Sequence, residues 1–127
     1  MARKSGSAGA PSQRQRRVGE LIRGALSEAL ARGEFRDPVL SETRFTVTEV
    51  RPAPDLRSAK VYVMPLGGER EGEALEALQR AAGYLRGEVN RRVRLKFSPS
   101  LSFEIDRSFE HVQRIDKLLD TDNASDE

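Results

Sequence analysis

No cysteine occurs among the 127 residues, which excludes disulfides, thiol catalysis and cysteine-based zinc sites. There is a single histidine, His111, with no evident acid–base partner, so imidazole chemistry has little to work with. No apolar run approaches the roughly 20 residues of a membrane span. The opening Met1-Ala2-Arg3-Lys4, followed by Ser, Gly and Ala, carries no apolar signal core. The expectation is a soluble, cytoplasmic protein. A net charge of one sign is also nearly lacking: the formal value is +2. What is present is 37% hydrophobic and 33% charged residues, enough for one modest core inside a strongly ionic surface.

The small net charge hides an uneven distribution. Residues 1–36 hold eight basic and three acidic side chains, and residues 80–97 hold six and one, so each block nets +5. Residues 37–79 net −3 and residues 98–127 net −5. Two separated basic blocks in a nearly neutral chain point to a local field aimed at a polyanion.

Periodicity divides the chain into one folded unit, residues 13–119, between a basic, non-periodic segment 1–12 and an acidic tail 120–127, both expected to be disordered. Val18, Leu21, Ile22, Ala25, Leu26, Ala29 and Leu30 form one helical stripe. Ser12 is placed to cap its start and Gly33 to follow its end. Asp37-Pro38 reads as an exit loop. Arg44–Val50 and Ala59–Pro65 read as strands, the second with Ala59, Val61 and Val63 on one face. Pro52, Ala53, Pro54 and Asp55 form the turn of an antiparallel hairpin between them, and Gly67-Gly68 closes this section. From Glu71 to Arg94, Leu75, Leu78, Ala82, Leu85 and Val89 line a second helix. Gly83 lies in its middle, which suggests a kink or a close approach by something else. Leu101, Phe103 and Ile105 alternate with Ser102, Glu104 and Asp106 in a third strand entered through Pro99. Ser108 is placed to cap a short last helix with Val112, Ile115, Leu118 and Leu119 facing inward. The order suits an α+β sandwich with helices on one sheet face, reached by a crossover between the second and third strands.

Arg17-Val18 through Ile22 and Leu26, Thr46-Val47-Thr48-Glu49-Val50, Asp55-Leu56, Ala59–Val63, Leu78 through Ala81-Ala82-Gly83 to Leu85-Arg86, Val93-Arg94-Leu95-Lys96, Pro99–Phe103, Asp106-Arg107-Ser108 and Ile115–Leu119 occur in an order that resembles the ribosome-binding factor A family over about residues 14–119. The resemblance implies a KH-like (type II) domain, α-β-β-α-(kink)-α-β with a short C-terminal helix and a three-stranded sheet. Ordinary KH domains clamp the nucleic-acid backbone with a Gly-x-x-Gly loop. No such loop stands here; in the family an Ala-x-Gly kink takes its place, and Ala81 and Gly83 occupy those positions. The resemblance also implies binding of 16S ribosomal RNA and the free 30S subunit, help in maturing it (including 16S 5′-end processing), a role in cold adaptation, and no enzymatic activity, cofactor, metal or membrane association. A monomer is expected.

With the clamp removed, binding falls to basic side chains. Folded RNA is recognised through shape, phosphates and 2′-hydroxyls, and the planar arginine fork suits phosphate. Arg80, Arg86, Arg91, Arg92, Arg94 and Lys96 around and after the kink are the first candidates, followed by Arg14, Arg16 and Arg17. Two other readings stand beside this one. A protein-interaction module would turn the same basic face toward acidic protein partners, and the acidic tail would be free to fold back over it. A nuclease would need a site such as Glu104 and Asp106, two apart on one strand face, which more commonly form a solvated surface.

Overall fold

Ser12 and Gln15 start the first helix by satisfying each other's backbone. The Gln15 N–H donates to Ser12 Oγ at 3.0 Å, and the Ser12 N–H donates to Gln15 Oε1 at 2.7 Å, a reciprocal capping box. In the computed structural model, which describes residues 10–32, 35–66 and 70–108, helix α1 then runs Gln13–Arg32. Ile22, Ala25, Leu26 and Ala29 of the expected stripe are buried, with Val18 and Leu30 packed partly against them. Leu21 departs from the stripe and is 43% exposed. Gly19, absent from the sequence reading, is buried because α1 crosses the first strand there: a Cβ on it would lie 2.6 Å from the Val50 carbonyl oxygen. Gln15 Nε2 donates to the Pro52 carbonyl at 3.1 Å and fixes the same crossing.

Asp37-Pro38 opens a short helix, α2 (Pro38–Glu42), where an exit loop was expected. The Asp37 carboxylate accepts from the Val39 N–H at 3.0 Å and proline occupies the first turn, where its missing N–H costs nothing. Strand β1 spans Phe45–Pro52 and β2 spans Ser58–Pro65. Pro52 therefore belongs to the strand, paired with Ala59, and not to the turn. As an edge-strand residue it leaves no donor needed by a neighbour. The turn itself is closed by Ala53 N–H to Ser58 O and Leu56 N–H to Ala53 O, each 2.8 Å. Leu56 takes a positive φ of 62° there, a left-handed conformation that a branched side chain adopts only against a steric penalty; burial of that side chain is the offsetting gain.

The register of β1 and β2 shifts between Val47 and Glu49. This bulge at Thr48 explains why both Val47 and Val50 are buried: strict alternation would put residues three apart on opposite faces, and one extra residue restores the inward direction.

Ala59, Val61 and Val63 of β2 point into the core, as expected. Strand β3 (Ser100–Ile105) lies parallel to β2, giving the order β1-β2-β3 in a mixed sheet. Leu101 and Phe103 face the same side as the β2 core residues, while Ser102 and Glu104 are exposed. The other sheet face is charge-matched: Lys60 pairs with Glu104 at 3.0 Å, and Arg51 sits 5.0 Å from the Tyr62 ring centre.

The expected kinked helix consists of two helices, α3 (Glu71–Arg80) and α4 (Ala82–Arg92). The break is at Ala81, with φ −89° and ψ 2°, whose N–H is shared between the Ala77 and Leu78 carbonyls. Gly83 lies inside α4, and a Cβ there would meet nothing within 4 Å. The kink thus needs no glycine on steric grounds. Leu78, Leu85 and Val89 are buried as expected, joined by Ala74 and Ala77. Gly33, Gly67-Gly68, His111, the last helix with Val112, Ile115, Leu118 and Leu119, residues 1–9 and the acidic tail lie outside the described residues.

Candidate nucleic-acid interface

The two basic blocks, far apart in sequence, meet in space. Arg14 and Arg17, on the exposed side of the first α1 turns, line one cleft of about 280 Å³ with Arg94 and Lys96 from the loop after α4. Its floor is apolar, formed by Val18, Leu21, Leu56, Leu95 and Phe97, which accounts for the exposure of Leu21. Arg14, Arg17, Arg94 and Lys96 are all exposed, and none forms an ion pair among the described residues. Phe97 is approached by two cations, the Arg57 guanidinium at 4.5 Å and Lys96 Nζ at 5.6 Å from its ring centre. Arg57 was missed in the sequence because it sits alone in the hairpin turn. Only the contact with Phe97 reveals it.

The remaining candidates are occupied in different ways. Arg16 is exposed but lines a separate cleft containing both Glu20 and Glu49. Arg80 donates to Asp37 Oδ2 at 2.8 Å, and that hydrogen bond, more than any other influence, holds the Asp37 carboxyl below its usual range. Arg86 grips the loop that carries Arg94 and Lys96: its Nε donates to the Ser98 carbonyl at 3.0 Å and to Ser98 Oγ at 2.9 Å. Arg91 pairs with Glu88 yet keeps a side chain 73% exposed.

Arg92 is a structural cation. Its side chain is 17% exposed, its Nη1 meets Glu88 Oε1 at 2.5 Å, and its buried Nε lies 3.5 Å from Glu28 Oε1 without hydrogen-bond geometry. Glu88 itself is 6% exposed and was not singled out from the sequence. Its spacing, three and four residues before Arg91 and Arg92, was the available signal.

Neither acid of the suggested metal pair is aimed at an open site. Glu104 is bound by Lys60. Asp106, just beyond β3, accepts from Ser108 N–H at 2.8 Å, Ser108 Oγ at 2.6 Å and Thr48 Oγ1 at 2.5 Å. Those bonds, that of the Ser108 hydroxyl foremost, hold its carboxyl below the ordinary value. Among the described residues, no three His, Cys, Asp or Glu side chains cluster as metal ligands, and no helix is long and apolar enough to cross a membrane. The arrangement offers electrostatics and an apolar floor.

Residues 14–119 match the family model described as ribosome-binding factor A. The chain is 53% identical over 122 residues to ribosome-binding factor A of Methylobacterium nodulans, covering 96% of this chain and 90% of that protein. Its fold is similar to the crystal structure of ribosome-binding factor A from Thermus thermophilus, with a TM-score of 0.62, 35% identity, and coverage of 74% of this chain and 98% of the other. It is also similar, at a TM-score of 0.57 and 32% identity over 70% of this chain and 91% of the other, to coordinates of the Thermus thermophilus factor fitted into a cryo-EM map of its 30S complex.

Proposed function

The chain belongs to the ribosome-binding factor A family, and from that premise we propose that it binds the free 30S ribosomal subunit during maturation and assists that maturation, including 5′-end processing of 16S ribosomal RNA. As a member of this family it is a non-catalytic assembly factor. The observation that carries the RNA-binding reading is the cleft where Arg14, Arg17, Arg94 and Lys96 converge without carboxylate partners among the described residues. Cations held over an apolar floor suit a polyanion that also presents flat, apolar surfaces, as folded RNA does.

In this reading the contact surface shifts from the kink toward the cleft. Arg14, Arg17, Arg94 and Lys96 contact RNA, with Arg57 beside them and Arg91, Arg16 and Arg80 at the periphery. Arg86 and Arg92 act by holding the loop and α4 in place. The folded RNA-binding unit is residues 13–119, between a basic and an acidic terminal segment, and it works in the cytoplasm as a monomer. Assistance requires no bond making: a factor that binds one RNA conformer better than its alternatives shifts the population by that difference in affinity.

Sedimentation tests the proposal. On a sucrose gradient of cell extract the protein is expected with free small subunits, and an alanine variant of Arg17 and Arg94 is expected near the top. Wild-type protein found with complete ribosomes or with no ribosomal particle would refute it.

A further inference from the structure

Tyr84, in the first turn of α4, is 52% exposed and no part of the cationic cleft uses it. Its ring meets Phe35 edge-on, with centroids 5.9 Å apart and planes at 78°. The two rings, with Leu40, Ala77 and Ala81, line a cleft of about 490 Å³ at the helix break, within the roughly 300–1,000 Å³ of ordinary ligand clefts. Arg36 and Arg80 stand at this cleft with Asp37, which binds Arg80, and Arg91 lines a second cleft that shares Tyr84 and also holds Arg32, Arg92, Glu28 and Glu88. Arg36 has no ion-pair partner among the described residues, and Arg91 extends mostly into solvent. Gly83, next to Tyr84, is exposed and fronts open space.

A half-exposed tyrosine is by itself ordinary, since its hydroxyl end favours water. The surroundings are what single this one out. Exposed guanidinium groups line both clefts that share this aromatic ring, one of the clefts with an apolar lining, and the adjacent residue has no side chain to hold a backbone away. A nucleotide with its base unstacked has matching features: a flat π-face, a phosphate on either side, and a backbone that needs room. We propose that Tyr84 stacks an unpaired nucleobase of RNA, with Arg36 and Arg91 contacting the phosphates on its two sides. This rests on the RNA-binding reading above and adds a second subsite, one that distinguishes a bulged or looped nucleotide from continuous duplex.

The test uses an RNA duplex with one bulged 2-aminopurine and the same duplex fully paired, each titrated with wild-type, Tyr84→Leu, Tyr84→Phe and the Arg17→Ala/Arg94→Ala variant. Tyr84→Leu keeps an apolar neighbour for Phe35, and its melting curve checks that the fold is intact. Wild-type protein should quench the bulged fluorophore and Tyr84→Phe should preserve the quenching. Tyr84→Leu should abolish it and weaken the bulged RNA by about 5- to 150-fold, the range for losing one base stack, with the paired duplex unaffected. The arginine variant should weaken both RNAs. If it does so while Tyr84→Leu matches wild type on both, the stacking site is wrong and the cationic cleft stands. If wild-type protein binds neither RNA, both readings fall. Loss of 30S binding by Tyr84→Leu with undiminished binding of the bulged duplex would also overturn the proposal, assigning the cleft to a protein contact.

Discussion

Replacing Arg17 and Arg94 together by alanine removes two of the four cleft cations that have no ion-pair partner among the described residues, one from each basic block. On a paired RNA fragment short enough to engage this cleft alone, with each of the four neutralising one phosphate, log K should fall with log salt at a slope of about 2.8 to 3.6, from 0.7 to 0.9 per contact. Raising salt from about 50 to 200 mM then weakens wild-type binding by roughly 50- to 150-fold. With two contacts left the slope halves, and the same change weakens binding only about 7- to 12-fold. Fluorescence anisotropy with a labelled 16S fragment of this kind at four salt concentrations measures both slopes. Arg92→Ala is the control. It removes a cation from the same helix end, but that cation is bound to Glu88 and Glu28, so the slope should stay at its wild-type value. Folding stability should instead drop by about 1.5–3 kcal/mol, the usual worth of a hydrogen bond to a charged group. An Arg17/Arg94 slope equal to wild type, or an Arg92 slope that falls by one contact, would refute the assignment of binding to the four cleft cations.

Gly19→Ala places a methyl group 2.6 Å from the Val50 carbonyl oxygen, so the helix must lift off β1. A loss of about 1–3 kcal/mol is expected in urea unfolding, and an unchanged midpoint would contradict the close approach. Gly83→Ala meets open space and should raise stability by up to about 1 kcal/mol through helix propensity, read from the same unfolding curves; a destabilised variant would show that the glycine serves the kink. Asp106 is held below its usual carboxyl pKa by Ser108 and Thr48. Its folded-state value therefore lies below the unfolded one, so its contribution is complete above the unfolded value of about 3.9 and disappears as pH falls through the folded value. Stability of Asp106→Asn should fall less steeply than wild type over that acid range; parallel acid profiles would argue against the network.

The long-range pattern of α1, β2 and β3 was readable because each buries one face, and burial imposes a period on the residues themselves. What escaped depended on events that leave no period. The Thr48 bulge reverses the alternation halfway along β1, so Val50 read as the end of the strand and Pro52 as part of the turn, when both lie on its inner face. Asp37-Pro38 is compatible with both a loop and a helix start, and the choice lies with the five residues after it. The kink was expected across Ala81-x-Gly83; the break falls at Ala81, a residue with good helix propensity, and the glycine that drew attention in the periodicity lies inside α4. The basic candidates were visible as charges, but a sequence does not show which charges already have partners. Arg92 looked as available as Arg94 until Glu88 and Glu28 were seen beside it. In the same way, Arg14 and Arg17 ranked second because nothing in their own segment revealed that they share a cleft with Arg94 and Lys96.

Arg86 has a consequence for association kinetics. By fastening Ser98 to α4, with Asn90 also donating to Ser98 Oγ, it tethers the far end of a segment whose near end is anchored by the Val93 N–H on the Val89 carbonyl. Two cationic side chains are thus carried on a span secured like a bridge deck at both abutments, and less backbone freedom remains to be surrendered when a polyanion arrives. With the loop held in this way, its cations stand already in place when a nucleic acid arrives, and Arg86 favours association through its grip on Ser98.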